Sequence, residues 1–165
     1  MRVIAVAMIL LISTAVQSHA AAITQTVTYL TVDKADRKLT AWHGRQIIKS
    51  YRIALGGNPL GHKQQEGDSR TPEGRYIIDM KNPKSSFHLS LHISYPNRTD
   101  RLSARRRGVS PGGNIMIHGT PEALSTVNAL GMYVDWTAGC IAVSNVEIEE
   151  LFRAVKVGTP ILIRP

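Results

Sequence analysis

From Val27 onward the chain alternates apolar and polar residues with a period of two, broken at short intervals by turn residues. Successive side chains of a strand point to opposite faces, so this pattern predicts half-buried strands. VTYLTV (27–32), KLTAW (38–42) and IIKSYRIAL (47–55) are predicted strands, the last with Ile47, Lys49, Tyr51, Ile53 and Leu55 on one face. The turns DKADR and His43-Gly44 between them are too short to hold a crossover helix, so a meander is expected. Residues 56–74 contain five glycines and two prolines and read as a loop. Strand patterns return at RYIIDM (75–80), FHLSLHISY (87–95), NIMIH (114–118) and TPILIRP (159–165). Helical spacing occurs twice. PEALSTVNAL (121–130) places Pro121 at a suitable first position, and NVEIEELFRAV (145–155) offers Asn145 as N-cap with Ile148, Leu151, Phe152 and Val155 in one stripe. With no repeat and no linker, the pattern predicts one mostly β domain with two short helices.

The first residues depart from this pattern. Arg2 precedes an unbroken apolar run from Val3 to Ile12, and Ser18-His19-Ala20 sets small residues where a signal peptidase reads them. This is the form of a cleaved export signal over residues 1–20, and a run of 10 residues is short of the ~20 a membrane-spanning helix needs. Without it the charge is 19 Lys+Arg against 12 Asp+Glu, or +7. A basic exported protein suits polyanionic partners. Five arginines, Arg98, Arg101, Arg105, Arg106 and Arg107, cluster in NRTDRLSARRRG, which reads as a solvated loop or an anion-facing surface. The aromatics do not interleave with them, so a stacking platform for nucleic acid is not expected.

Export also changes how WTAGCIAVSN (136–145) is read, because it holds the single cysteine of the chain. One thiol cannot form an internal disulfide, so Cys140 is either a buried apolar filler or a reactive group. A reactive thiol needs a base or a lowered pKa. His118 closes the NIMIH strand and is followed by Gly119, which lets the main chain approach the imidazole. His43 and His62 fall in turns, and His88 and His92 share one face of the 87–95 strand. Gly139 allows an unusual backbone before Cys140, so the amides of 139 and 140 can point together at a developing oxyanion. No Cys-x-x-Cys pair occurs, and one cysteine with scattered histidines gives no metal-ligand set; no metal or other cofactor is expected.

Four stretches together resemble the L,D-transpeptidase (YkuD) family: ALGGNPLGHKQQEGDSRTPEGRYII (54–78), FHLSLHISYPNRTD (87–100), PGGNIMIHGT (111–120) and TAGCIAVSN (137–145). The resemblance implies a mostly β, single L,D-transpeptidase-like β-sandwich domain over residues 24–165. It implies a periplasmic or cell-envelope acyl-transferase acting on peptidoglycan stem peptides of the meso-diaminopimelate type, at an amide between an L-centre and a D-centre. Carried onto this chain, Cys140 matches the nucleophile, His118 the general base, and the Gly119 carbonyl the group that orients the imidazole. Thr137 matches the hydroxyl position of the motif, and Gly139 with Cys140 supplies the implied oxyanion amides. Tyr95 and Arg98 are added as candidate substrate contacts, the arginines at 98–107 being placed to approach stem-peptide carboxylates. Two positions depart from the family pattern: Ala138 stands where histidine is common, and Ala142 where an arginine is expected to hold a substrate carboxylate. TAGCIAVSN and FHLSLHISYPN are more similar to the YafK-like branch, which implies an alternative, hydrolytic release of an envelope lipoprotein or of cross-links. A wall-binding module with an idle thiol is the non-enzymatic alternative.

Overall fold

The computed structural model describes residues 23–121, 124 and 134–165. The expected signal segment and most of the predicted 121–130 helix lie outside these residues. Eight strands form one sheet: β1 (Tyr29–Asp33), β2 (Lys38–His43), β3 (Gln46–Arg52), β4 (Gly74–Ser85), β5 (His88–Ile93), β6 (Met116–His118), β7 (Ile141–Ala142) and β8 (Pro160–Arg164), ordered β3-β2-β1-β8-β4-β5-β6-β7. The expected β1–β2–β3 meander is present and antiparallel. The closing strand β8 inserts between β1 and β4, running parallel to β1 and antiparallel to β4. β4 is long enough to serve two neighbours, β8 along Gly74–Ile77 and β5 along Ile78–Ser85.

The two edges of the sheet meet. Ala54, just past β3, exchanges both backbone hydrogen bonds with Ala142 of β7 at 2.9 and 2.8 Å, and Gly57 N donates to Thr137 O at 3.0 Å. The sheet therefore curls round a single core in which Leu30, Leu39, Ile53, Ile78, Leu91, Ile117 and Ile141 are fully buried. Tyr51, Ile53 and Leu55 are buried, but the expected single face for 47–55 breaks at a register shift of β3 against Ala41 and Trp42 of β2. There Ile47 is 54% exposed and Ile48 packs against the core instead.

Two helices are described. α2 (Asn145–Ala154) buries Ile148 and Leu151 in the core. Its N-cap is Ser144, not Asn145: Ser144 Oγ accepts from Glu147 N, and the Glu147 carboxylate accepts from Ser144 N, a reciprocal capping box. α1 (Arg98–Arg106) replaces the expected loop. Asn97 Oδ1 accepts from Asp100 N at 3.1 Å and Asp100 Oδ2 accepts from Asn97 N at 2.9 Å, so this helix too starts from a capping box. Arg105 and Arg106 in its last turn complement the helix dipole.

Candidate active site

The parallel pairing of β6 with β7 sets the geometry. His118 is level with Ala142 and Ile117 with Ile141, so Cys140 lies one residue before β7, beside Met116. With a side-chain period of two, His118 and Cys140 emerge from the same face of the sheet. His118 Nδ1 is 2.6 Å from the carbonyl oxygen of its neighbour Gly119. A carbonyl can only accept, so Nδ1 carries the proton and the lone pair of the neutral ring sits on Nε2. Close packing fixes this turn: a Cβ on Gly119 would stand 2.3 Å from Asn145 Oδ1 and 2.8 Å from Phe87 O. Asn145 accepts from Thr120 N at 2.9 Å, holding the same stretch from the first turn of α2.

The loop before Cys140 is organised by Thr137. Its Oγ1 donates to Cys140 O at 2.8 Å and accepts from Gly139 N at 3.1 Å. The Gly139 amide is thus engaged inside the loop, contrary to the expectation that it faces an oxyanion. Gly139 has φ +129, and a Cβ there would come within 2.6 Å of Arg70 O, so only glycine fits. Asp135 ties the start of this loop down. Its carboxylate accepts from Leu55 N at 2.8 Å and from Arg37 Nε and Nη2 at 3.0 and 2.6 Å.

The Cys140 thiol is partly buried and donates to Asn114 O at 3.5 Å; Asn114 reaches this position with a left-handed φ of +54. Burial pushes the thiol above its ordinary value, opposed by the Met116 amide and the charge of Lys63. Burial pushes the His118 imidazole below its ordinary value, opposed by the Gly119 carbonyl. The pair therefore rests as neutral thiol and neutral imidazole. Lys63 is 3% exposed, its ammonium held by Asp68 Oδ1 at 2.8 Å and Gln65 O at 3.2 Å. Phe87 stacks on the His118 ring at 4.5 Å, and Trp136 meets it edge-on at 5.6 Å. These three side chains escaped the sequence reading. Lys63 sits in a glycine-rich loop that reads as punctuation, and nothing local ties Phe87 or Trp136 to His118.

Of the residues expected at the site, Cys140, His118, Gly119, Gly139 and Thr137 come together. Tyr95 does not. It is buried against Tyr76 and His62, and its hydroxyl donates to Pro111 O at 2.9 Å, which removes it from substrate contact. Arg98 is exposed at the start of α1. His88 and His92 stand apart along β5 and each meets its own carboxylate, Glu149 at 2.8 Å and Asp79 at 2.5 Å. Among the described residues, no three His, Cys, Asp or Glu side chains gather where they could hold a metal ion.

A family model of the L,D-transpeptidase catalytic domain (YkuD) matches residues 27–163. The chain belongs to this family. It is similar to YafK of Escherichia coli K12, provisionally named an L,D-transpeptidase, at 29% identity over 133 residues, covering 77% of this chain and 46% of YafK. YqjB of Bacillus subtilis, named in the same way, is 27% identical over 139 residues, covering 82% of this chain and 70% of YqjB. Among solved structures, the helical cell shape determining protein Pgp2 of Campylobacter jejuni superposes with a TM-score of 0.63 at 26% identity, over 86% of this chain and 48% of Pgp2. The chain thus spans about half the length of YafK and of Pgp2. The curled, mostly β sheet with its two described helices is the L,D-transpeptidase fold.

Proposed function

We propose that this chain is a peptidoglycan-modifying cysteine acyl-transferase of the bacterial envelope, exported through residues 1–20 and acting through the domain at 24–165. The observation that carries the reading is His118, its tautomer fixed by the Gly119 carbonyl, on the same sheet face as the lone thiol of a family member. His118 Nε2 takes the Cys140 proton as Sγ attacks the carbonyl of the L-centre in a stem peptide. The carbonyl oxygen gains negative charge. With the Gly139 amide engaged by Thr137, the Cys140 amide is the backbone donor assigned to it. The C–N bond then breaks, the imidazolium gives its proton to the departing D-residue amine, and a thioester remains on Cys140. An acceptor amine attacks the thioester, His118 accepts its proton, the S–C bond breaks and the thiol re-forms. Phe87 and Trp136 pack against the imidazole, which is itself buried, and hold its ring in place.

The test is mass spectrometry of the protein incubated with tetrapeptide muropeptides of the meso-diaminopimelate type and with lipoprotein-linked peptidoglycan. A new dimer joined through its two diaminopimelates, absent with Cys140→Ala, is the expected product. Release of lipoprotein or splitting of dimers without a new bond reassigns the second step to water. Absence of either reaction in the folded protein leaves a wall-binding module.

A further inference from the structure

The Arg70 guanidinium holds a donor that the fold leaves unspent. Its Nε is buried without a partner in a side chain that is otherwise half-buried. Native proteins seldom leave a buried donor unpaired, and a charged one least of all. The side chain lines a polar cleft of about 230 Å³ together with Asn58, Gln64, Gln65 and Asp68. The Asp68 carboxylate in that cleft is already committed, accepting from Lys63 Nζ and from the amides of Gln64, Gln65 and Arg70. Lys63 balances its charge, so the charge of Arg70 stays uncompensated.

The main chain of this loop meets the loop that carries the nucleophile. The Arg70 carbonyl packs on Gly139, the residue before Cys140, and the Ser69 carbonyl packs on Gly56, which bridges to Thr137 two residues past the Ala54–Ala142 contact. An extended peptide advances ~3.5 Å per residue, so a carboxylate one or two residues from the attacked amide lies ~3.5–7 Å further along the chain. Ala142, two residues after Cys140, presents no cation of its own and is buried between β6 and Ala54.

We propose that Arg70 anchors a carboxylate of the substrate peptide in this cleft, one or two residues from the amide that Cys140 attacks. The inference rests on the acyl-transfer reading for its register but can be tested without turnover. Cys140→Ala and Cys140→Ala/Arg70→Gln are titrated calorimetrically with three synthetic tetrapeptides: the free acid, its C-terminal amide, and the peptide amidated at the side-chain carboxylate of its third residue. Arg70→Gln is expected to weaken the free acid about 10- to 100-fold. One of the two amidated peptides is expected to bind weakly to both proteins alike, which identifies the carboxylate. Arg70→Lys recovers part of the affinity, because it keeps the charge and loses the fork. Circular dichroism and Cys140 alkylation of Arg70→Gln alone are expected to match wild type. Equal weakening of all three peptides, no weakening, or no measurable binding of the free acid to Cys140→Ala overturns the assignment. Turnover surviving in Cys140→Ala would sink the catalytic reading while leaving the carboxylate result intact.

Discussion

At the scale of single residues, the site rests on two groups whose surroundings move them in opposite directions. Burial lowers the His118 imidazole and raises the Cys140 thiol. His118 accepts a proton only when neutral, so the acid limb of kcat/KM is expected below the ordinary imidazole value of ~6.5. The thiol stays protonated past its ordinary ~8.5, so alkylation of the free protein by iodoacetamide is expected to rise only above that pH. A pH series of both rates checks the pair; an acid limb above ~6.5 contradicts the neutral imidazole. Lys63→Met removes a charge that lowers the thiol pKa, so its alkylation midpoint is expected to move further up. Gly119→Ala tests the imidazole's support. Asn145 can swing aside, but the Phe87 carbonyl belongs to the backbone, so a cost of about 1–3 kcal/mol and loss of turnover are expected in urea titration and assay. Cys140 and His118 were legible in the sequence because a lone thiol and a histidine beside glycine signal chemistry locally. Phe87, Trp136 and Lys63 were not, since only the closed sheet brings them together.

Elements show the same division between local and long-range information. The strands were legible because alternation is a local consequence of burying one face, and α2 because its stripe has helical period. α1 was missed although its start is written in the sequence: Asn97 and Asp100 have the spacing of a capping box, and arginine is a good helix former. The run of charges drew attention to its surface instead. Asp100 is the buried link, accepting from the Tyr76 hydroxyl at 3.0 Å and lying 3.1 Å from His62 Nε2. Asn97→Ala is expected to cost about 1 kcal/mol in urea unfolding, the usual worth of an N-cap. The loop facing α1 carries a pH signature. Burial alone would raise the Asp68 carboxyl, but hydrogen bonds from Lys63 and from the amides of Gln64, Arg70 and Gln65 outweigh it and hold it at about 2. The folded value lies below the unfolded ~3.9, so the stabilisation is complete above pH ~4 and is lost as pH falls towards 2, about 2 kcal/mol in all. The stability gap between wild type and Asp68→Asn is expected to shrink over that window. A gap constant with pH would show that the carboxylate is not held down.

Across the whole molecule, what the sequence withheld is the order of the strands. Meander and turns are local, but the insertion of β8 between β1 and β4, and the contact of Ala54 with Ala142, join residues more than 80 positions apart. These long-range joints make the site possible, because the strand that closes the sheet also supports the loop carrying Cys140. They also forbid the molecule from coming apart in halves. β4 belongs to both neighbourhoods, Arg37 in the β1–β2 turn is paired with Asp135 beside the site, and the two ends of the sheet are bonded to each other. A single cooperative transition is the expected result. The two tryptophans report on opposite parts: Trp42 lies in β2, and Trp136 lies against His118. Urea unfolding of Trp42→Phe and Trp136→Phe isolates each signal. Within each variant, tryptophan fluorescence and far-ultraviolet circular dichroism are expected to share one midpoint and one slope. In Asp135→Ala, Arg37 loses its ion pair and Leu55 N its acceptor, so a drop of about 1–3 kcal/mol is expected with the transition still single. If instead the Trp136 signal melts first in that variant while the circular dichroism of β1–β3 persists, the closure is a local clasp and the catalytic half can open on its own.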